Sequence, residues 1–228
     1  MPARLIVLRP EPGNAATLAR IAAAGGDGVA MPLFAVRPLD WAVPDPAAFD
    51  ALLLTSANAV RHAGPGLARL SALPVVAVGG ATANAARAAG LLVVATGSGD
   101  AQAAATLLRE RGCQHPLHLA GREHRPVAGV TPITVYASEP VAPEGVERLT
   151  DAVALIHSPR AGARLAACVD AAGLPRARTA VAAISPAALA AAGGGWRRAI
   201  TIDRPNDDAL VRAALSIDPG DGGGDKAA

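Results

Sequence analysis

The stretch LLLTSANAV, residues 52–60, joins a short apolar run to an alanine-rich segment through the polar pair Thr55-Ser56. A short apolar run is typical of a buried strand, and a serine at the start of an alanine-rich segment is a common N-cap of a helix. A similar junction, VALIHSPRAG, occurs at residues 153–162, where Ser158 takes the place of Ser56. The sequence therefore predicts the same strand–serine–helix junction twice in one chain.

The rest of the chain repeats this alternation of short apolar runs and helix-forming segments. Strands are predicted at residues 5–8, 52–54, 75–78, 92–95, 117–119, 155–156, 181–184 and 199–202, with a further extended segment at 133–136. Most of them lead into a predicted helix, with Asp100, for example, as the N-cap of a helix that ends near Arg111. Alternating strands and helices of these lengths predict an α/β fold with parallel sheets.

The junctions recur in the same order in both halves of the chain. The matched positions are Ser56 with Ser158, Val78 with Ile184, Asp100 with Asp207, and residues 5–8 with residues 117–120. Such an ordered series indicates two copies of a four-unit α/β module, although alanine-rich sequences also resemble one another by chance. Extended, proline-bearing segments at about 33–38 and 134–140 are the predicted linkers, and residues 216–228 are predicted to be disordered.

Composition excludes several classes of protein. The 228 residues are 51% hydrophobic, 18% charged and 2% aromatic, with a net charge of +2, which argues against a nucleic-acid-binding protein. The apolar run at residues 5–8 is too short for a signal peptide, and Pro186 and three glycines interrupt the longest weakly polar stretch, so no membrane span is predicted. Cys113 and Cys168 are expected to be reduced thiols. We therefore expect a cytoplasmic, monomeric protein with no nucleic-acid or membrane partner.

The polar residues at the junctions have two interpretations. Each serine can simply cap its helix, as every α/β protein requires. Alternatively, unsatisfied amides at several helix starts can bind anions, because ligands of parallel sheets bind at the carboxyl ends of the strands. The full set favours a cleft for a ligand with many carboxylates or phosphates. Arg9, Arg122, Arg125 and Arg160 each follow a strand end and are either surface charges or carboxylate partners.

No motif for a cofactor or a metal is present. The chain has no phosphate-binding loop, no Gly-x-Ser-x-Gly elbow and no third glycine after Gly97-Ser98-Gly99 to complete a dinucleotide fingerprint. His115, His118 and His124 cluster in sequence but lack the spacing of a metal site, so they are interpreted as solvated or structural histidines. Neither a metal nor an organic cofactor is therefore predicted.

Taken in order, the segments of this chain resemble the uroporphyrinogen-III synthase family. The matching segments are residues 5–26, MPLFAVRPL at 31–39, FDALLLTSANAV at 49–60, residues 75–90, HLAGREHR at 118–125, ITVYASEPV at 133–141, ALIHSPRAGARL at 154–165 and residues 181–196. No single segment is specific, but the ordered set covers most of residues 4–215. The chain departs from the pattern at Ser185-Pro186-Ala187-Ala188, and it lacks most of a helix between Arg125 and Thr131.

The resemblance implies two similar α/β domains that face a cleft and are joined by a two-stranded linker. Domain A would be discontinuous and comprise residues 1–34 and 139–228, and domain B would comprise residues 37–136. Without the resemblance, the repeat allows two tandem domains equally well. In the family's arrangement, the two serine junctions at Ser56 and Ser158 would be equivalent positions in the two domains.

The resemblance also implies the reaction, which is closure of linear hydroxymethylbilane with inversion of ring D in tetrapyrrole biosynthesis. It implies Tyr136 as the catalytic residue, which would help the terminal hydroxyl to leave. It places Ser56, Thr82, Ser158 and Ser185 near the cleft. Together with Arg9, Ala57, Gly121, Arg122 and Arg160, these are the predicted substrate-binding residues. The alternative is a non-catalytic two-lobed protein that binds a polyanion or a tetrapyrrole.

Overall fold

The computed structural model describes residues 3–97 and 101–218, and these form two compact units. The first unit comprises Met1–Ala35 and Pro140–Ala228, and the second comprises Val36–Glu139. The predicted cap Asp100, the pair Ser98-Gly99 and residues 219–228 of the predicted tail lie outside the described residues.

The strands and helices alternate along the chain as the sequence predicts. In chain order they are β1 (Arg4–Val7), α1 (Gly13–Ala23), β2 (Asp27–Ala30), β3 (Phe34–Pro38), β4 (Ala51–Leu54), α2 (Ala57–His62), β5 (Val75–Val78), α3 (Gly80–Ala88), β6 (Val93–Gly97), α4 (Ala101–Glu110), β7 (Pro116–Gly121), β8 (Thr131–Pro140), β9 (Val153–Ile156), α5 (Pro159–Ala171), β10 (Ala180–Ala183), α6 (Pro186–Ala192), β11 (Arg198–Thr201) and α7 (Asp207–Leu215). No helix of the described residues combines the length and the apolar character that crossing a membrane requires.

Each unit is built on one sheet. The first sheet has the order β2-β1-β9-β10-β11, and all its neighbouring strands are parallel. The second has the order β3-β8-β7-β4-β5-β6, and its strands from β8 to β6 are also parallel. This doubly wound arrangement confirms the predicted α/β fold with parallel sheets.

The internal repeat is visible in the strand order. The series β8-β7-β4-β5-β6 of the second sheet corresponds to β2-β1-β9-β10-β11 of the first. The pair β1-β2 precedes the rest of its sheet in the chain, whereas β7-β8 follows the rest of its own. The two modules are therefore circular permutations of each other, which explains why residues 5–8 resemble residues 117–120. Each module has five strands, one more than the four units that the sequence predicted.

The central strands are buried on both faces, as parallel strands covered by helices must be. In β1, Leu5 and Val7 belong to one apolar cluster and Ile6 to the cluster on the opposite face. In β4, Leu52 and Leu54 likewise lie opposite Leu53. Full burial of each such side chain contributes about 1.5–3 kcal/mol, so these strands form a rigid base for the residues that follow them.

The first residues of the predicted tail belong to the fold. Ile217 is buried in the cluster that also contains Leu210 and Val211 of α7. The Ser216 hydroxyl donates a hydrogen bond to the carbonyl oxygen of Ala213 at 2.8 Å. The prediction of disorder from residue 216 onward is therefore wrong for residues 216–218, because the single apolar residue Ile217 is enough to anchor the chain after α7.

Candidate functional site

Each unit collects its predicted site residues at the carboxyl edge of its own parallel sheet, the edge at which ligands of such sheets bind. In the second sheet, Ser56, Ala57, Thr82, Gly121 and Arg122 follow or end a strand, and Tyr136 lies inside β8 opposite Gly121, the last residue of β7. In the first sheet, the residues that follow a strand are Arg9, Ser158, Arg160 and Ser185. The ten residues thus form two groups, one in each unit.

The three serines are helix caps. The Ser56 hydroxyl accepts a hydrogen bond from the amide of Asn58 at 3.2 Å, and the Ser158 hydroxyl accepts one from Ala161 at 3.2 Å. The Ser185 hydroxyl accepts one from Ala188 at 3.3 Å. Each hydroxyl therefore already satisfies one of the orphan amides that a ligand could otherwise bind, which is the first of the two interpretations of these junctions.

The start of α3 is different, because no side chain caps it. Gly79 precedes the helix with a φ of 79°, a conformation that favours glycine, and a side chain added at Gly80 would meet open space. Thr82 lies one turn in, with 5% of its surface exposed. The first amides of this helix are thus left without a capping side chain, which is the arrangement that the second interpretation of the junctions requires.

Tyr136 lies directly against Gly121. The two residues are register partners on β8 and β7, and the amide of Arg122 donates to the carbonyl oxygen of Tyr136 at 2.9 Å. A β-carbon at position 121 would be 2.6 Å from Cζ of the tyrosine ring. Within the described part of the chain, no residue forms a hydrogen bond with the Tyr136 hydroxyl, so its donor is available to a ligand.

Two histidines contact this pair, and a third contacts one of those two. The ring centroid of His62 lies 6.2 Å from that of Tyr136, and the ring of His118 meets that of His124 edge-on at 5.8 Å. His124 Nδ1 is 2.9 Å from the carbonyl oxygen of Gly121. His118 and His124 lie near His115 in the sequence, but their proximity to Tyr136 arises only from the pairing of β7 with β8 and could not be predicted.

His118 is buried within β7, with 2% of its surface exposed. Its Nε2 is 2.9 Å from the Thr55 hydroxyl at the end of β4. Burial, with a smaller effect from His124, lowers the pKa of His118 to about 4. His118 is therefore a neutral, structural histidine at physiological pH, in agreement with one of the two interpretations from sequence.

Three of the four arginines that the sequence singled out, Arg9, Arg122 and Arg160, contact a protein group. Arg122 forms an ion pair with Glu139 at 3.3 Å, and Arg9 lies 3.7 Å from Asp207. The guanidinium of Arg160 lies 4.7 Å from the centre of the Phe34 ring. Each of these cations is held in place by a protein group before any ligand binds.

Asp207 is the centre of a polar network in the first unit that the sequence analysis missed. Its carboxylate accepts hydrogen bonds from the Thr17 hydroxyl at 2.8 Å, from Arg20 at 3.0 Å and from His157 Nε2 at 2.7 Å. Burial alone would raise the pKa of Asp207, but the hydrogen bonds from His157 and Thr17, with the charges of His157 and Arg9, outweigh it and lower this pKa. The sequence did contain one signal for this network. His157 aligns with Thr55, and both residues follow a strand and precede a capping serine, so a polar role for His157 at the end of its strand could have been expected.

No metal-binding group is found among residues 3–97 and 101–218, since no three His, Cys, Asp or Glu side chains there are placed to hold an ion. Cys113 and Cys168 are both free thiols, as expected.

A family comparison decides what kind of protein this is. The model of the family described as uroporphyrinogen-III synthase HemD matches residues 15–212. The chain belongs to the uroporphyrinogen-III synthase family. The match includes every residue of both edge groups except Arg9, and it places the chain among the cyclising lyases of tetrapyrrole biosynthesis.

The fold is also similar to that of a solved uroporphyrinogen-III synthase. A mutant synthase from the extremely thermophilic bacterium Thermus thermophilus is 18% identical, with 92% of this chain and 96% of that chain covered and a TM-score of 0.50. A second structure of the Thermus thermophilus synthase is 17% identical, with coverage of 92% and 97% and a TM-score of 0.39. No curated protein sequence matches the chain. At these identities the first structure supports the fold and no individual residue.

Proposed function

We propose that this chain closes linear hydroxymethylbilane to uroporphyrinogen III, with Tyr136 as the residue that helps the terminal hydroxyl to leave. The observation that carries the proposal is the position of Tyr136 within a member of this family. The residue lies opposite Gly121, which ends the neighbouring strand β7, and its hydroxyl forms no hydrogen bond with the described residues. A donor that is fixed but unused is what departure of a hydroxyl group requires.

For this reaction, the protein has two main tasks, which are to position the substrate and to transfer protons. The terminal hydroxyl of the substrate leaves as water once it receives a proton, and the α-carbon of ring D loses its proton when the ring closes. Tyr136 would donate a hydrogen bond to the departing hydroxyl and stabilise the charge that develops on it. The rest of the site would hold the chain in the folded geometry that leads to inversion of ring D, which is a task of orientation.

The carboxylates of the substrate would bind to backbone amides and to arginines that are already oriented. The uncapped start of α3, with Thr82 one turn in, would bind one carboxylate. Arg122 and Arg160 would supply charge-assisted hydrogen bonds from the edges of their sheets. Ser56, Ser158 and Ser185 would act mainly by fixing the starts of their helices, because their hydroxyls already accept amide hydrogen bonds.

We also propose that the chain is a cytoplasmic enzyme that acts as a monomer on a small-molecule substrate and binds no nucleic acid. Two free thiols and a net charge of only +2 support it. Light scattering of the purified protein measures the oligomeric state directly, and a dimer would contradict this part of the proposal.

The decisive experiment incubates the purified chain with freshly prepared hydroxymethylbilane and separates the product isomers by chromatography after oxidation. We expect uroporphyrinogen III in excess over the symmetric isomer, which forms by direct closure without an enzyme. Binding of the substrate together with only the symmetric isomer would support the alternative of a non-catalytic tetrapyrrole-binding protein. A sample without protein, run in parallel, gives the rate of direct closure.

A further inference from the structure

The hydrogen bond between His124 and Gly121 fixes the protonation of the His124 ring. A backbone carbonyl oxygen can only accept, so the Nδ1 atom of His124, 2.9 Å from the Gly121 oxygen, must carry a hydrogen. In the neutral imidazole, Nε2 then holds the free lone pair. None of the described residues forms a hydrogen bond with this Nε2, and the residue is half-buried. His124 therefore presents a fixed, unused proton acceptor.

Gly121 connects this acceptor with Tyr136. The carbonyl oxygen of Gly121 orients the His124 ring, and its α-carbon lies against the Tyr136 ring, where a methyl group would be 2.8 Å from the tyrosine hydroxyl oxygen. One residue at the end of β7 thus positions both an available O–H donor and an available nitrogen acceptor. Such a pair at the carboxyl edge of a sheet fits a reaction that takes up one proton and releases another.

The other two imidazoles of this cluster are weaker bases than an ordinary histidine. Burial lowers the pKa of His118 to about 4, and Thr55 already occupies its Nε2. Burial, assisted by the charge of Arg61, also lowers the pKa of His62. Neither shift favours uptake of a proton near neutral pH, so neither of these two imidazoles is assigned as the base.

We propose that His124 is a second catalytic residue, whose Nε2 accepts the proton that the α-carbon of ring D loses on closure. This inference rests on the proposed function, and it adds the base to the donor Tyr136. The number of protons that the two residues give and take up during one turnover is equal. Tyr136 gives up a proton as the substrate hydroxyl leaves as water, His124 gains one as ring D becomes aromatic again, and transfer from His124 to Tyr136 restores both residues.

The test uses His124→Asn, because an asparagine side chain keeps an N–H donor near the position of Nδ1 and has no atom in place of the basic Nε2. We expect the variant to fold with wild-type thermal stability and to lose roughly a hundredfold or more in kcat, with little change in KM. His115→Asn is the matched control, since His115 is exposed and lies outside the proposed site. It is expected to have wild-type activity.

Chemical rescue separates catalysis from a structural role. In His124→Ala, added imidazole is expected to restore part of the lost kcat, whereas it has no effect on the wild type or on His115→Asn. Wild-type kcat in His124→Asn would overturn the proposal, as would the same rescue in His62→Ala but not in His124→Ala. If the wild-type protein itself forms no uroporphyrinogen III, the proposed function fails instead, so the two failures are distinguishable.

Discussion

The ring of Tyr136 lies so close to the α-carbon of Gly121 that a β-carbon there would be 2.6 Å from Cζ and 2.8 Å from the hydroxyl oxygen. The two residues are partners on neighbouring strands, and the register of β7 with β8 shifts between Ala120 and Gly121. Glycine at position 121 therefore leaves room for the ring in this position and does not serve an unusual backbone conformation. The family motif that contains Gly121 thus has a steric reason in this chain.

Gly121→Ala should displace the Tyr136 ring and slow the reaction. The clashing atoms belong to the far end of a side chain, so the ring can rotate away at little cost in stability. A shift of about 1 Å in a catalytic group costs on the order of a hundredfold in rate. We therefore expect kcat to fall roughly ten- to a hundredfold with a nearly unchanged melting temperature, measured by steady-state kinetics and thermal unfolding.

Gly194→Ala is the matched control for this change. An added methyl group at Gly194 would meet no atom within 4 Å, and this residue belongs to neither edge group. The control should retain full activity. Full activity in Gly121→Ala as well would mean that the position of the Tyr136 ring does not matter for turnover.

Tyr136→Phe keeps the ring and removes only the hydroxyl. Because that hydroxyl has no partner among the described residues, its loss should leave the free energy of unfolding nearly unchanged. Loss of one proton donor should lower kcat by roughly ten- to a thousandfold. A drop in stability without a drop in kcat would show that Tyr136 is a packing residue.

Much of the fold could be predicted because its signals are local. Apolar runs flanked by serine, glycine or asparagine mark the strands and the helix starts, and Ser56, Ser158 and Ser185 are all N-caps. The repeated junctions also indicated two related modules. β8 was predicted only as an extended linker segment at 133–136, and β2 was not predicted as part of a module, because no recognisable helix follows either strand.

The site was harder to predict because it depends on register. Tyr136 and Gly121 are 15 residues apart, and nothing in either local segment indicates that their side chain and α-carbon meet. His157 and Asp207 likewise meet only after two strands and two helices have formed between them. The helix starts were recognisable, but the sequence could not show that capping hydroxyls already occupy three of them.

A substitution of Arg160 tests how the free energy of ligand binding is distributed between backbone amides and arginines. If backbone amides and several arginines share the carboxylates of the ligand, Arg160→Ala should weaken product binding by on the order of 1–2 kcal/mol, the value of one charge-assisted contact. Isothermal titration with uroporphyrinogen III under anaerobic conditions measures this difference. Complete loss of binding would show that one arginine dominates recognition.

Asp207 should make the first unit sensitive to acid. The native state lowers the pKa of this carboxyl below the value of about 3.9 expected in the unfolded chain, so the unfolded state binds the proton more readily. The stabilisation by the carboxylate is thus complete above about pH 4–5 and is lost as the pH falls through the native pKa. In urea titrations, Asp207→Asn should be less stable than wild type at pH 7, and the gap should narrow towards pH 3. A gap that is constant with pH would contradict the assignment.

His118 should produce a second, separate pH dependence in the second unit. Its pKa is about 4 in the folded protein and about 6.5 when unfolded, so the unfolded chain binds more protons between these values. The stability due to the neutral side chain is therefore fully present above about pH 6.5 and decreases as the pH falls towards 4, by about 3 kcal/mol in total. His118→Gln removes the titrating group but retains a polar side chain near Thr55. Urea unfolding of both proteins from pH 7.5 to pH 4 should show a steeper loss of stability in the wild type, and parallel curves would mean that His118 is hydrated in the folded state.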